Sequence, residues 1–176
     1  MPALLALGAQ LELRCGDRVR TLDLADFYLG YRQTALQAGE FLMNVVIPRR
    51  GAGETLACWK VSKRFDQDIS AVCAAVWTEQ PDGEVARIRM GFGGMAAVPS
   101  RAPRAEAALS GKALSMASIE AAGRALGEDF TPLTDMRASS QYRLRVAANL
   151  LHRLLPAEET IAPSRLEQLD AEALGR

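Results

Sequence analysis

Polar and apolar residues alternate over residues 10–14, where Leu11 and Leu13 stand between Gln10, Glu12 and Arg14. Alternation resumes over residues 18–23 after Gly16-Asp17, and a period of two on both sides of a turn pair predicts a β-hairpin. Residues 24–28 are too short and too mixed for a strand and predict a helical turn before Gly30. Residues 41–47 form an apolar, β-branched run stopped by Pro48, which predicts a buried strand. Residues 49–54 have turn composition and no apolar anchor, so they mark a boundary.

Three further strand candidates follow, at residues 56–61, 69–77 and 85–92, the last two joined by Pro81-Asp82-Gly83. Within the second, residues 70–75 are rich in small side chains and fit a helix equally well. After Gly93-Gly94 the period lengthens to that of helices. One runs from Pro103 to Leu109 before Gly111, one from Met116 to Leu126 before Gly127, and one from Ser139 or Ser140 to Leu155 before Pro156. In the last, Ala147, Leu150, Leu151, Leu154 and Leu155 share one face, and Arg145, Asn149, His152 and Arg153 share another. Strands followed by helices predict an α+β fold: an antiparallel sheet of three to four strands covered by about three helices, preceded by a small β-rich unit. The divisions fall at residues 1–50, 54–155 and an acid-rich tail, 156–176, read as a loosely attached helix or frayed end.

At 176 residues the chain holds one domain, or a small domain with an appended piece. Lys plus Arg and Asp plus Glu both number 21, and this balance argues against nucleic-acid or membrane binding by bulk charge. The apolar stretch 1–9 lacks a basic flank and is too short for a signal peptide or a membrane span, so a cytoplasmic location is expected. Cys15, Cys58 and Cys73 form no Cys-x-x-Cys, and His152 is the only histidine, so this chain supplies neither a four-ligand zinc site nor an iron–sulfur cluster. The cysteines read as scattered buried thiols, and His152 as a solvated helix-face residue without a neighbouring carboxylate to make a triad. Arg137, Arg143, Arg145 and Arg153 read as a docking surface or a solvated face.

The densest polar cluster is Lys60-Val61-Ser62-Lys63-Arg64-Phe65-Asp66-Gln67-Asp68, in a loop between two strand candidates, where side chains are well placed to meet a ligand. Lys60 shares a strand face with Leu56 and Cys58, so its ammonium starts from the buried side. It then either meets an anionic or polar ligand, or snorkels out, or pairs with Asp66 or Asp68. Gly91-Phe92-Gly93-Gly94 matches neither a dinucleotide fingerprint nor a Walker motif and reads as a turn or bulge needing positive φ. Residue physics alone stops at a soluble α+β domain with one chemically loaded loop.

Several segments nevertheless resemble a known family. Residues 2–9, then Phe27-Tyr28-Leu29-Gly30-Tyr31-Arg32-Gln33-Thr34-Ala35-Leu36 with Gly39-Glu40-Phe41, are similar to the end of the FAD-binding domain of xanthine dehydrogenase small subunits. Residues 59–72, the turn Phe92-Gly93-Gly94-Met95-Ala96, and residues 130–139 with Tyr142-Arg143 resemble the C-terminal, CO dehydrogenase flavoprotein-like domain that follows in the same proteins. The resemblance covers about residues 2–155 in family order. It implies electron transfer from a molybdopterin-bound centre that oxidises xanthine or hypoxanthine, through 2Fe-2S clusters, to FAD and then NAD. Leu42 and Lys60 are implied as flavin contacts, with Lys60 stabilising the charge that develops on reduction. Lys63, Arg64, Asp66 and Asp68 are implied to lie in a loop near the flavin face where nicotinamide arrives.

The family's iron–sulfur region and first FAD subdomain, with its glycine-rich pyrophosphate loops, do not precede Met1 in this sequence. Residues 1–50 are therefore expected to be an incomplete remnant of the FAD-binding domain. The missing half and a molybdopterin-binding large subunit are the expected partners, and the chain alone is expected to be inactive and to retain no FAD. The other reading kept open is a structural or assembly module that never meets flavin.

Overall fold

The computed structural model describes residues 1–64 and 68–155. Asp66 and the expected tail, 156–176, lie outside the described residues. The chain opens with a helix that the alternation did not predict, α1 (Pro2–Leu7). Pro2 sits in its first turn, where a missing N–H costs nothing, and Gly8 closes it at φ +69°. Six residues are too few for a 3.6-residue period to show, which is why the stretch reads only as apolar.

The expected hairpin follows as β1 (Gln10–Cys15) and β2 (Arg18–Asp23), with Leu11 opposite Leu22 and Cys15 opposite Arg18. Residues Leu24–Asp26 make the expected helical turn, and a short unpredicted hairpin comes next, β3 (Tyr28–Gly30) with β4 (Gln33–Thr34). The run at 41–47 is indeed a strand, β5 (Phe41–Val46), pairing antiparallel with β1 in a three-stranded sheet of order β2-β1-β5. It is not buried. Phe41 is 54% exposed, and Leu42, Val45 and Val46 are open as well. An apolar run predicts burial only if something covers it, and β5 is the edge of this sheet, with β1 as its one ladder partner among the described residues.

The second sheet has four antiparallel strands in sequence order: β6 (Glu54–Val61), β7 (Val72–Glu79), β8 (Arg87–Gly93) and β9 (Ser100–Arg101). Its helical layer is α2 (Pro103–Leu109), α3 (Met116–Asp129) and α4 (Ser140–Leu151), the α+β arrangement expected from the sequence. Ser115 and Ser139 begin α3 and α4 by accepting the backbone N–H groups of Ser118 and Tyr142. The ambiguous residues 70–75 become strand from Val72 onward. The main core packs Val72, Val76, Met90 and Phe92 of the sheet against Leu109, Ile119, Leu126 and Leu151 of the helices.

The other face of this sheet carries Trp77, Ala75, Arg89 and Gly91, and α1 lies across it. Ala6 packs with Ala75 and Trp77, while Leu5 belongs to the small sheet's core with Leu11, Leu13, Leu24 and Phe27. One short helix is thus shared by two cores. The approach is close: a Cβ at Gly91 would lie 2.3 Å from the Pro2 carbonyl oxygen. Arg89 stacks over the Trp77 ring at 3.9 Å and donates from Nε to the Ala6 carbonyl at 2.7 Å, so it finishes the helix while bolting it to the sheet. Burial pushes the Arg89 guanidinium below its ordinary range.

Candidate functional site

Arg143, one turn into α4, is 3% exposed, which corrects its reading as part of a solvated basic face. Its guanidinium donates to the Ala71 carbonyl at 2.5 Å, the Gly94 carbonyl at 3.0 Å and Asp135 Oδ1 at 2.6 Å. Asp135 also accepts from the backbone N–H groups of Arg137 and Ala138. Those backbone donors, foremost that of Arg137, and then Arg143 itself hold the Asp135 carboxyl below its usual range. Gly94 takes φ +80°, as expected for this turn, and a Cβ there would sit 2.4 Å from the Ala71 oxygen. Three segments far apart in sequence, before β7, after β8 and ahead of α4, are drawn to one end of the sheet by one buried cation.

Beside this knot is a cleft of about 430 Å³ lined by Val61, Ser62, Lys63, Arg137, Ser139 and Tyr142 among others. Lys63 Nζ donates to the Met136 carbonyl at 3.1 Å, closing one wall. Met136 itself is 86% exposed, and Ile69, Leu133 and Tyr142 are exposed too. Two cations, hydroxyls and an aromatic ring around an open cleft suit an anionic ligand with a flat apolar part.

Lys63 therefore belongs to this cleft, and Arg64 and Asp68 are exposed at the ends of the same loop. Lys60 needs a correction. The buried face of β6 is the one carrying Trp59 and Val61, which pack against the main core. Lys60 projects from the opposite face, level with Cys73 of β7, and is exposed because α1 shields that face nearer Leu56. Leu42 lies across from Leu13, whose side chain joins Leu5 of α1 in the small core. Leu42 and Lys60 thus stand on different sheets, each on the face turned toward the α1 layer.

Ahead of Leu42, Glu40 takes two hydrogen bonds from Arg20, at 2.7 and 2.8 Å, and one from the Gln37 N–H. Arg20 chiefly, then Gln37, holds the Glu40 carboxyl down at about 2. This clamp fixes the turn from which β5 departs. The sequence marked Gly39-Glu40-Phe41 only as part of a resemblance, and the pairing of Glu40 with Arg20 across the turn was not visible in it, although Glu40 follows a glycine at φ +81°.

Leu42 and Lys60, the expected flavin contacts, are both exposed, one apolar and one cationic. A diphosphate cradle is not formed by the sheet-end glycines: Pro2 fills the space beside Gly91 and Gly93, and the Ala71 carbonyl fills that beside Gly94.

Fold and site together define a flavoprotein-type α+β module with a small β-rich unit ahead of it. Residues 57–157 match the CO dehydrogenase flavoprotein C-terminal domain and residues 1–50 match the FAD binding domain in molybdopterin dehydrogenase, and the chain belongs to this flavoprotein family. It is 32% identical over 155 residues to the carbon monoxide dehydrogenase medium chain of Afipia carboxidovorans, covering 87% of this chain and 53% of that one. It is 35% identical over 132 residues to the xanthine dehydrogenase of Emericella nidulans, 73% of this chain and 10% of that protein. In structure it is similar to carbon monoxide dehydrogenase from Hydrogenophaga pseudoflava, with a TM-score of 0.80 at 30% identity, covering 86% of this chain and 53% of the other. The chain spans about half the length of the medium chain it matches and a smaller part of the xanthine dehydrogenase. No described helix is long and apolar enough to cross a membrane.

Proposed function

We propose that the chain is part of the FAD module of a xanthine dehydrogenase-type molybdenum hydroxylase, helping pass electrons from 2Fe-2S clusters through FAD to NAD during purine oxidation in the cytoplasm. The observation that carries this reading is the convergence of residues 61–63, 71, 94 and 135–143 at the sheet end next to Lys60. FAD, when bound, supplies the two-electron chemistry. Leu42 packs against the apolar ring, and Lys60 holds a positive charge where electron density accumulates. Lys63 and Arg137 line the cleft by which an anionic acceptor such as NAD approaches, with Arg64, Asp66 and Asp68 tuning access from the loop. An iron–sulfur and FAD half outside these 176 residues supplies the phosphate anchors and covers the open edge of β5, and a molybdopterin-binding large subunit supplies the electrons.

The second reading, an assembly module that does not itself bind flavin, draws support from the filled glycine spaces. Titration with FAD separates the two. The chain alone is expected to be colourless with no saturable low-micromolar binding, because a few ring contacts seldom offset the roughly 4–15 kcal/mol of immobilising a ligand. Adding the upstream half restores binding. In that complex Lys60→Ala keeps its FAD yet slows flavin reduction by NADH by about 2–4 kcal/mol in barrier height. Unchanged NAD turnover at full FAD content would remove Lys60 from the flavin edge and favour the assembly reading.

A further inference from the structure

Two of the three cysteines, far apart in sequence, meet on one face of the large sheet. Cys73 lies directly opposite Lys60, and Cys58 directly opposite Ala75. Residues opposite each other in an antiparallel ladder share a face, as do residues two apart along a strand. Cys58, Lys60 and Cys73 therefore form a triangle. Cys58 is exposed and Cys73 half-buried, so the reading of all three cysteines as scattered buried thiols is corrected. Cys15 is elsewhere, in the small sheet beside Gly39.

Diagonal neighbours of this kind have Cα atoms about 7–8 Å apart and Cβ atoms somewhat closer. A disulfide wants Cβ atoms about 3.5–4.5 Å apart. The pair is too wide for a direct S–S bond and suited to a bridge with an atom in the middle. Burial raises both thiols and Cys73 raises Cys58 further, while the N-terminal ammonium draws both down and Lys60 adds to this at Cys73.

We propose that Cys58 and Cys73 bind one soft monovalent cation, Cu(I) being the representative ion, as a two-coordinate dithiolate with Lys60 as the adjacent counter-charge. Each thiol releases its proton to solvent as its sulfur–metal bond forms, and the oxidation state of the metal does not change. Two bonds near the ~2.3 Å of a metal–thiolate contact, laid end to end, hold the sulfurs about 4–5 Å apart, within reach of diagonal side chains. Soft thiolates select Cu(I), whereas zinc asks for four ligands, and the described residues contain no cluster of three His, Cys, Asp or Glu side chains that would hold a metal. A dithiolate with a monovalent ion carries one net negative charge, which the Lys60 ammonium offsets. The proposal does not rest on the flavin reading, since it needs only this chain.

The test is anaerobic titration of the reduced full-length chain with Cu(I) against a colorimetric Cu(I) chelator. One equivalent is expected to bind, with ultraviolet thiolate-to-metal absorption. Cys58→Ser and Cys73→Ser are each expected to weaken it at least 100-fold, while Cys15→Ser leaves it unchanged. Cys58→Ala, at the exposed position, keeps loss of binding distinct from loss of fold, checked by its circular dichroism melt. Retained affinity in both Cys58 variants, a requirement for Cys15, or an ion bridging two chains in sedimentation would each overturn the proposal, as would absence of stoichiometric binding to the wild-type chain.

Discussion

The large sheet is covered on both faces, by α2, α3 and α4 on one side and by α1 on the other, whereas the small sheet closes its core only along β1 and leaves β5 open to solvent. Both sheets carry an arginine–carboxylate clamp. In the large sheet Glu106 accepts from Arg101 and from the Met90 N–H at 2.7 Å and is buried; in the small one Glu40 accepts from Arg20 and Gln37. The same chemistry therefore sits in a covered core and beside an open edge. The contrast separates a sheet that the described residues cover on both faces from one whose edge strand they leave exposed.

The largest expected effect breaks the covered side. Glu106→Ala leaves the buried Met90 N–H without its acceptor and the half-exposed Arg101 without its partner, and urea unfolding should show a loss of about 3 kcal/mol, the upper range for orphaning a buried polar group. A loss no greater than that of a surface substitution would mean that the two clamps are equivalent. Next in size is the joint between the regions. Gly91→Val drives a side chain into the Pro2 carbonyl and is expected to cost about 1–3 kcal/mol by overpacking. Hydrogen exchange should rise in β1 and β2 while β7 and β8 stay protected.

Acid sharpens the comparison on the small sheet. The Glu40 carboxyl falls to about 2 in the fold against roughly 4.3 in an unfolded chain. A carboxyl depressed by folding stabilises above its unfolded value and loses that contribution as pH falls toward its folded value. The protection of β5 amides, their exchange relative to the unstructured rate at the same pH, should therefore fall between about pH 4 and 2, and Glu40→Gln should remove that dependence. The smallest effect on stability, within about 0.5 kcal/mol, is expected for Val46→Lys on the open edge. Its readout is association: sedimentation should show less self-association of the chain, and capture of the upstream half should weaken.

Helices with clear punctuation were legible in the sequence, since Pro103, Ser115 and Ser139 mark their own starts. The hairpin at Gly16-Asp17 was legible for the same reason. Burial was less so: the period of β5 describes its chemistry, not its neighbours, and the side of β6 that faces the helices is decided by packing of Trp59 and Val61 rather than by alternation. The site was legible as motifs but not as an assembly. That Arg143 reaches Ala71 and Gly94 is a long-range fact, and a basic stretch in one dimension hid a buried tie in three. Pairing of Cys58 with the strand that bears Cys73 was hidden likewise, because spacing along the chain does not encode register across it.

Helix α1 also sets an order of events during synthesis. It is made well before the residues that hold it, Trp77, Arg89 and Gly91, which come some eighty positions later. An isolated six-residue helix is far below the length that is stable in water, so these first residues spend translation unstructured or borrowed by other apolar surfaces. The β1–β2 hairpin, whose contacts are local, forms early, and the seam between the sheets, whose contacts are distant, closes late. A chaperone that shields the apolar α1 stretch until β8 has emerged should raise the yield of native chain, and slowing translation before residue 93 should lower it.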